Sequence, residues 1–390
     1  MMKHPYRSNS FLCRFVVSSV ISSILLAVLI ASFFYACNEL TAFTDREIKT
    51  DENVLWGTAF GQQHSVYKLK RSLYKKPDLL ILGSSRVTQF RQIMAPGIRF
   101  YNASLAASNL KMANQFIRHL YSQHRPKVVL LGIDPWWFNP LEGADAKELI
   151  VEFRYREIVA NALNFLVRPR ILRSIFSGDL QFEADAIAKR RPIGFHASLT
   201  ANGFRPDGSY QNGEILLGKD WMADIARRGF KYGFKYYRDS VRSQEGRFSY
   251  VNAPGSKQAE MLRQFILINK KHNVKTIIFF PPFAAGIWQT IQETPRQKDY
   301  FQEITSLVSK IAEETETEFF DFHDLADLGV EDVHTLDGLH VDEIATLRTV
   351  KKMISFSKNL SRLYEPTALA QFNLLANRKN LWAGQYTIVP

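Results

Sequence analysis

The sequence is organised around residues 76–86, which read Lys76-Pro-Asp-Leu-Leu-Ile-Leu-Gly-Ser-Ser-Arg86. Leu79 to Leu82 form a continuous apolar run that is too short for a helix and is bounded by a proline and a glycine. This pattern predicts a strand that is buried on both faces of a parallel sheet. Ser84 and Ser85 follow at its carboxyl end, where ligands bind in open α/β sheets. The structural alternative is that either serine caps the turn into a following helix.

Further short apolar runs alternate with helical patterns along the chain. Strands are predicted at residues 98–103, 127–133, 274–280 and 318–321. Helices are predicted from about residue 87 and at residues 110–122, 256–272, 297–314 and 343–356. Strands that alternate with helices form a parallel sheet covered on both faces. The expected fold class is therefore α/β, with a mainly parallel five-stranded sheet.

The N-terminal region contains an uncharged apolar segment, residues 16–36. About 20 such residues are enough for a helix to cross a bilayer. Basic residues precede the segment, so the positive-inside rule places residues 1–15 in the cytoplasm and the C-terminal domain outside a bacterial inner membrane. A cleaved signal peptide has a shorter apolar core of about 7–15 residues and small residues before the cleavage site, and bulky residues stand there. A lipoprotein signal at Cys37 meets the same objection, so the sequence predicts an uncleaved single-pass anchor.

The chain as a whole has a globular composition, with 46% hydrophobic and 23% charged residues. This excludes wholesale disorder. Residues 37–75 are predicted to be a linker and lead-in helix, and residues 76–390 an extracytoplasmic domain. A long insertion, at about residues 139–255, is expected to contact substrate or partners. Its basic apolar stretch at 167–175 is typical either of a membrane-surface segment or of an ordinary amphipathic helix.

Charge and cysteine content narrow the chemistry. The net charge of +12 favours anionic lipid or acidic polysaccharide as a partner. No nucleic-acid motif is present, so nucleic acid is not an expected partner. The only cysteines, Cys13 and Cys37, flank the apolar segment, which excludes a disulfide or a cysteine nucleophile from the globular part. Asp321, His323 and His334 match no metal-binding spacing, and no metal or cofactor is expected.

A possible acid–base motif, Asp337-Gly-Leu-His340, follows the last predicted strand and precedes the last helix. With two residues between them on a loop, the carboxylate can orient the imidazole from the same turn. A serine at another strand end completes the set for nucleophilic catalysis, in which serine attacks, histidine takes its proton and aspartate fixes the histidine tautomer. An Asp-x-x-His motif alone is common by chance, so the order of the three residues along the chain carries the argument.

This order, with Gly83-Ser84-Ser85 first and Asp337-Gly-Leu-His340 last, resembles the SGNH (GDSL-like) hydrolase superfamily. It is similar in particular to the membrane-anchored branch with lipoteichoic acid D-alanyl transfer and polysaccharide O-acetyltransferase proteins. The resemblance covers residues 77–139 and about 259–356. It implies a three-layer α/β/α sandwich, with Ser85 rather than Ser84 as nucleophile, His340 as base and Asp337 as the partner of His340.

The residues expected to bind the oxyanion depart from the family pattern. Ser104 stands in the place of a glycine, so that only its N–H is expected to donate. Asp134 stands in the place of an asparagine, and an ionised carboxylate cannot donate a hydrogen bond. Loss of one oxyanion donor typically costs ~10²–10³ in rate. Either Asp134 is protonated or turned away, or another donor such as Arg86 replaces it. Trp136 is expected either to stack on a sugar ring or to cap the core.

The function that this resemblance implies is acyl-ester chemistry on a cell-envelope polysaccharide. O-acyl (acetyl) transfer through an acyl-serine is favoured over hydrolysis, because the anchor suggests an acyl donor delivered at the membrane. The resemblance also implies a multispanning membrane acyltransferase as partner. Two alternatives remain open: a glycan-binding or assembly scaffold with impaired catalysis, and a plain esterase.

Overall fold

The computed structural model of the chain describes residues 6–50, 53–59, 64–140, 148–168, 171, 190–212, 233–249 and 253–376. The strands are β1 Val54–Trp56, β2 Leu79–Gly83, β3 Phe100–Ser104, β4 Val128–Gly132, β5 Arg191–Ile193, β6 Gly203–Phe204, β7 Tyr210–Gln211, β8 Lys275–Phe280 and β9 Glu318–Asp321. The α-helices are Tyr6–Ala36, Asp45–Ile48, His64–Lys75, Leu110–Tyr121, Tyr155–Leu166, Phe195–Thr200, 233–243, Ser256–Lys271, Ala285–Glu293, Pro295–Glu314, Glu343–Phe356, Lys358–Ser361 and Pro366–Ala376.

Five strands form one sheet in the order β3-β2-β4-β8-β9, and every neighbouring pair is parallel. Successive side chains of a strand point to opposite faces. In β2, Leu80 and Leu82 therefore enter one apolar cluster, whereas Leu79 and Ile81 enter another on the opposite face. The predicted α/β class and the predicted mainly parallel five-stranded sheet are confirmed.

The strand order reverses direction at β2. The chain passes from β2 to the edge strand β3 on one side and then crosses to β4 on the other. In open α/β sheets such a switch point leaves a crevice at the carboxyl ends of the strands, where ligands bind. Ser84 and Ser85 follow β2 directly, and Asp134 follows β4. The topology thus places these residues at the one sheet edge where a crevice is expected.

The helix predicted from about residue 87 is wrong, because two 3₁₀ turns, Ser85–Val87 and Gln92–Met94, occupy this segment. The cause is a buried side chain of β3. Asn102 Nδ2 donates to the carbonyl oxygens of Val87 at 2.8 Å and of Phe90 at 2.9 Å. The Asn102 side chain thereby occupies two carbonyl oxygens that would accept backbone N–H groups in a helix. The segment after β2 therefore forms turns instead of a helix.

A second sheet lies partly in the segment that the sequence predicted to be a linker. Its order is β5-β1-β6-β7, in which β1 precedes the main sheet and the other three strands belong to the insertion. Trp56 of β1 is fully buried, and its ring stacks on Tyr67 with 3.9 Å between centroids. The lead-in segment and the insertion therefore fold together. Strands of two or three residues are too short for periodicity in the sequence to reveal this.

The N-terminal helix Tyr6–Ala36 contains a stretch, Phe11–Ala36, with a mean hydropathy of 2.5. This single helix is long and apolar enough to cross a membrane. Its C-terminal end packs against the rest of the protein, because Phe34 and Cys37 share a buried cluster with Phe165 and Phe195. The apolar segment is thus continuous with the folded domain rather than joined to it by an open linker.

Candidate active site

Three predicted residues meet at the carboxyl edge of the main sheet. The Oγ of Ser85 lies 2.8 Å from Nε2 of His340, and Nδ1 of His340 lies 2.8 Å from Oδ2 of Asp337. All three side chains are half-buried, so the site stays open to solvent. A hydroxyl, an imidazole and a carboxylate in this order form a relay in which the imidazole can accept the proton of an attacking hydroxyl.

The loop of Asp337 and His340 is closed on itself by hydrogen bonds. Asp337 Oδ1 accepts the N–H groups of Leu339 and His340, each at 2.9 Å. The left-handed φ of +92° at Gly338 allows this tight turn. At the base of the loop, His334 Nδ1 lies 2.8 Å from Oδ2 of Asp342. Asp342 is the N-cap residue of the helix Glu343–Phe356. The helix Glu343–Phe356 and this pair of side chains, the clamp, hold the loop in place.

Asp337 carries a charge that suits an orienting role. Burial alone would raise the pKa of this carboxyl. The hydrogen bonds with His340 and with the two backbone N–H groups outweigh burial, so the pKa lies below its usual value. Asp337 is therefore ionised at neutral pH. An ionised carboxylate on Nδ1 leaves Nε2 as the proton acceptor that faces Ser85 and stabilises the imidazolium formed by proton transfer.

Arg86 and Asp134 form a fully buried ion pair behind the relay. Arg86 Nη1 lies 3.3 Å from Asp134 Oδ1, and both side chains have no exposed surface. Arg86 Nη2 also donates to the carbonyl of Pro281 at 2.6 Å, and Nε donates to the carbonyl of Leu339 at 3.3 Å. One guanidinium thus joins the turn after Ser85 to the residue beside His340. The pair compensates the Asp134 charge through Oδ1, which weakens the repulsion expected with an oxyanion.

The donors predicted for the oxyanion are engaged elsewhere. Ser104 N–H donates to Asn102 Oδ1 at 2.7 Å, and the Arg86 side chain is buried among its acceptors. After the end of β3, the residue with a left-handed backbone is Leu105, whose φ is +63°, and not Ser104, which stands in the place of the family's glycine. Ser85 itself begins the 3₁₀ turn Ser85–Val87, and the first N–H groups of a helical turn lack an acceptor within the turn. The Ser85 N–H is therefore a candidate oxyanion donor.

The aromatic residues after β4 lie in the core. Trp136 is only 5% exposed, and its ring has Arg86 on one side, with Cζ 5.5 Å from the centroid, and Arg247 at 5.0 Å. Its neighbours Trp137 and Phe138 are equally buried. This placement favours the core-capping alternative for Trp136, because a covered ring offers no face on which a sugar can stack.

The insertion contributes residues that sequence reasoning missed. The helix at residues 233–243 lies against the loop of Asp337 and His340, and a Cβ added to Gly233 would lie 2.7 Å from Cβ of Asp337. Burial and the nearby charge of Asp337 raise the pKa of Tyr237 on this helix, so its phenol is neutral. No motif in the insertion signals this contact. Asn102, in contrast, was detectable as a lone amide within a predicted buried strand.

The residues considered for a metal site do not cluster. Within the described ranges, no three His, Cys, Asp or Glu side chains are grouped closely enough to hold a metal ion. His323 is buried among aromatic rings, stacked on Phe280 and Trp288, and only Asp321 approaches its Nδ1, at 2.8 Å. This histidine is packed as part of the aromatic core.

The chain was compared with protein-family models, with curated proteins and with solved structures, and nothing matched. The resemblance to SGNH hydrolases therefore stays a prediction from the sequence motifs at Ser85 and His340.

Replacement of Arg86 by Met should destabilise the protein by about 3–5 kcal/mol, because it leaves the Asp134 charge buried without its cation. The double variant Arg86→Met/Asp134→Leu removes both charges and should recover most of this loss. Chemical denaturation of the detergent-solubilised chain measures the unfolding free energy of both variants.

Acylation of Ser85 by an activated ester should be ~10²-fold slower in the double variant than in the native chain, because the loop of His340 loses its contact with Arg86. Recovery of both the stability and the acylation rate in the double variant would contradict the role of Arg86 in positioning His340.

The clamp at the base of the loop should be pH-dependent. The hydrogen bond with Asp342 raises the pKa of His334 above its usual value of 6.5. Because the folded-state pKa is the higher one, the stabilisation is complete below the unfolded pKa and is lost as the pH rises through the raised value. The difference in unfolding free energy between the native chain and His334→Gln should be largest at about pH 6 and shrink by about pH 9. A difference that grows with pH would refute this assignment.

Proposed function

We propose that this protein is a membrane-anchored serine acyltransferase that moves an acyl group, most simply acetyl, onto a hydroxyl of a cell-envelope polysaccharide. The observation that carries the proposal is the relay of Ser85, His340 and Asp337, with 2.8 Å at each step, at the switch point of a parallel sheet. The proposed three-layer SGNH-like architecture is supported by the apolar clusters on both faces of that sheet.

The chemistry balances without a further reactant. Ser85 Oγ attacks the acyl carbonyl of the donor ester while His340 Nε2 takes the hydroxyl proton. Collapse of the tetrahedral intermediate breaks the ester bond, and His340 returns the proton to the departing alcohol. A polysaccharide hydroxyl then gives its proton to His340 and attacks the acyl-serine. Collapse of the second tetrahedral intermediate breaks the bond between the acyl group and Ser85 Oγ and releases the new ester, while His340 returns the proton to Ser85 Oγ. Asp337 stabilises the imidazolium in both halves.

The N-terminal helix supports a site on the outer side of a bacterial inner membrane. Its apolar stretch is long enough to span a membrane, and the basic residues before it favour a cytoplasmic N-terminus. An anchored enzyme meets an acyl donor that is delivered at the membrane, which favours transfer over hydrolysis. A multispanning membrane acyltransferase is the proposed supplier of that donor. Rapid turnover of small soluble esters with water as acceptor would indicate a plain esterase instead.

A second candidate function is a glycan-binding or assembly scaffold. It is favoured by two contacts: the Ser104 N–H is already bonded to Asn102, and the Asp134 carboxylate is held by Arg86. Two of the positions that donate to the oxyanion in the similar family thus have other partners here. In a scaffold, polysaccharide binding would persist without Ser85.

The two functions separate in cells that lack the native protein and carry variants instead. Ser85→Ala should abolish alkali-labile acyl groups on the envelope polysaccharide while the protein stays folded and in the membrane fraction. Ser84→Ala is the matched control, because the Ser84 Oγ only accepts the N–H of Arg86 at 3.2 Å. It should retain acylation within about tenfold, because this bond stabilises the turn by only about 1 kcal/mol. Unchanged acylation in Ser85→Ala would exclude the acyl-serine mechanism.

A further inference from the structure

The helix Tyr155–Leu166 has apolar residues on two faces. One face is buried in the cluster that receives the end of the N-terminal helix, through Ala162, Phe165 and Leu166. The other face is exposed, and its large apolar side chains recur every four residues, with exposed fractions from 38% to 63%. These residues are Tyr155, Val159, Leu163 and Val167. Side chains four residues apart form one ridge along a helix. We name this ridge the apolar ridge.

The buried face of the helix Tyr155–Leu166 packs against the N-terminal apolar helix, and this contact sets how deep the helix lies relative to the membrane. Ile30, Phe33 and Phe34 of that helix join the same cluster, together with Phe165. At 1.5 Å per residue, Ile30 lies about 9 Å inside the span from its end at Ala36. The elements packed on it therefore reach the boundary between headgroups and acyl chains if this helix spans the membrane. Interfacial helices bury their apolar face to a similar depth, about 5–10 Å.

The charges around the apolar ridge suit anionic headgroups. Arg154 and Arg156 are exposed at the start of the helix, and Arg168 is exposed just after its end. Two acidic residues accompany these three arginines: Glu157, which pairs with Arg154 at 3.2 Å, and the exposed Glu152. The ends of the ridge thus carry a net positive charge, while its centre is apolar. This combination is typical of helices that lie in the surface of an anionic membrane.

We infer that the apolar ridge is inserted into the outer leaflet of the membrane that the N-terminal helix crosses. The helix Tyr155–Leu166 then forms a second membrane contact beside the anchor and fixes the tilt of the domain on the bilayer. Lipid is the occupant that the position favours, because the ridge belongs to the same packed unit as the last turns of the apolar helix. This inference rests on the membrane placement proposed above and not on the catalytic assignment.

Spin labels on single cysteines test the inference in the full chain, with Cys13→Ser and Cys37→Ala as background. The protein is reconstituted in vesicles of phosphatidylglycerol and phosphatidylethanolamine. Leu163→Cys probes the apolar ridge. Leu267→Cys is the matched control, because Leu267 is also an exposed leucine but lies on the helix Ser256–Lys271, which packs on the main sheet. Leu25→Cys reports the depth of the apolar span.

Relaxation by oxygen should exceed relaxation by a water-soluble nickel chelate at residues 25 and 163, with the reverse order at residue 267. A label at 163 that is as accessible to nickel as the label at 267, while 25 remains protected, would overturn the inference and leave the anchor intact. Protection of 163 from both reagents would mean that protein covers the ridge, which also overturns it. Exposure of both 25 and 163 to nickel would refute the anchor together with the ridge contact.

Discussion

The buried ion pair between Arg86 and Asp134 connects the elements that build the candidate active site. Arg86 follows the serine turn after β2, Asp134 follows β4, and the guanidinium also holds the carbonyl of Leu339 in the histidine loop. A charge in the interior is tolerated only when it is paired and hydrogen-bonded. The need to satisfy these two charges therefore ties three chain segments to one geometry, and the distance between Ser85 and His340 depends on it.

The main sheet was predictable because its strands are local signals. Each one is a short apolar run bounded by turn residues, and the predicted range 318–321 coincides with β9. The positions of Ser85, Asp337 and His340 at one sheet edge follow from the same alternation. What could not be predicted depends on tertiary contacts: the turn after β2 is set by a side chain of β3, Asn102, more than ten residues away.

The roles of individual polar groups were the least predictable part of the site. A sequence motif assigns Ser104 and Asp134 to the oxyanion by position, whereas the structure shows where their hydrogen bonds go. Burial bears on the role of Trp136 in the same way, since only the structure shows that Arg86 and Arg247 lie against its ring and leave it 5% exposed. The contact of Gly233 with Asp337 joins residues a hundred positions apart and leaves no local trace.

The measurement that tests the central claim most directly is intact-mass analysis and peptide mapping of the detergent-solubilised full chain after treatment with an activated acetyl ester and, separately, a fluorophosphonate. An activated nucleophile predicts one adduct of each reagent on Ser85. The adduct should be lost in His340→Ala and retained in Ser84→Ala. Absence of an adduct, or an adduct that does not depend on His340, would contradict the serine mechanism and favour the scaffold.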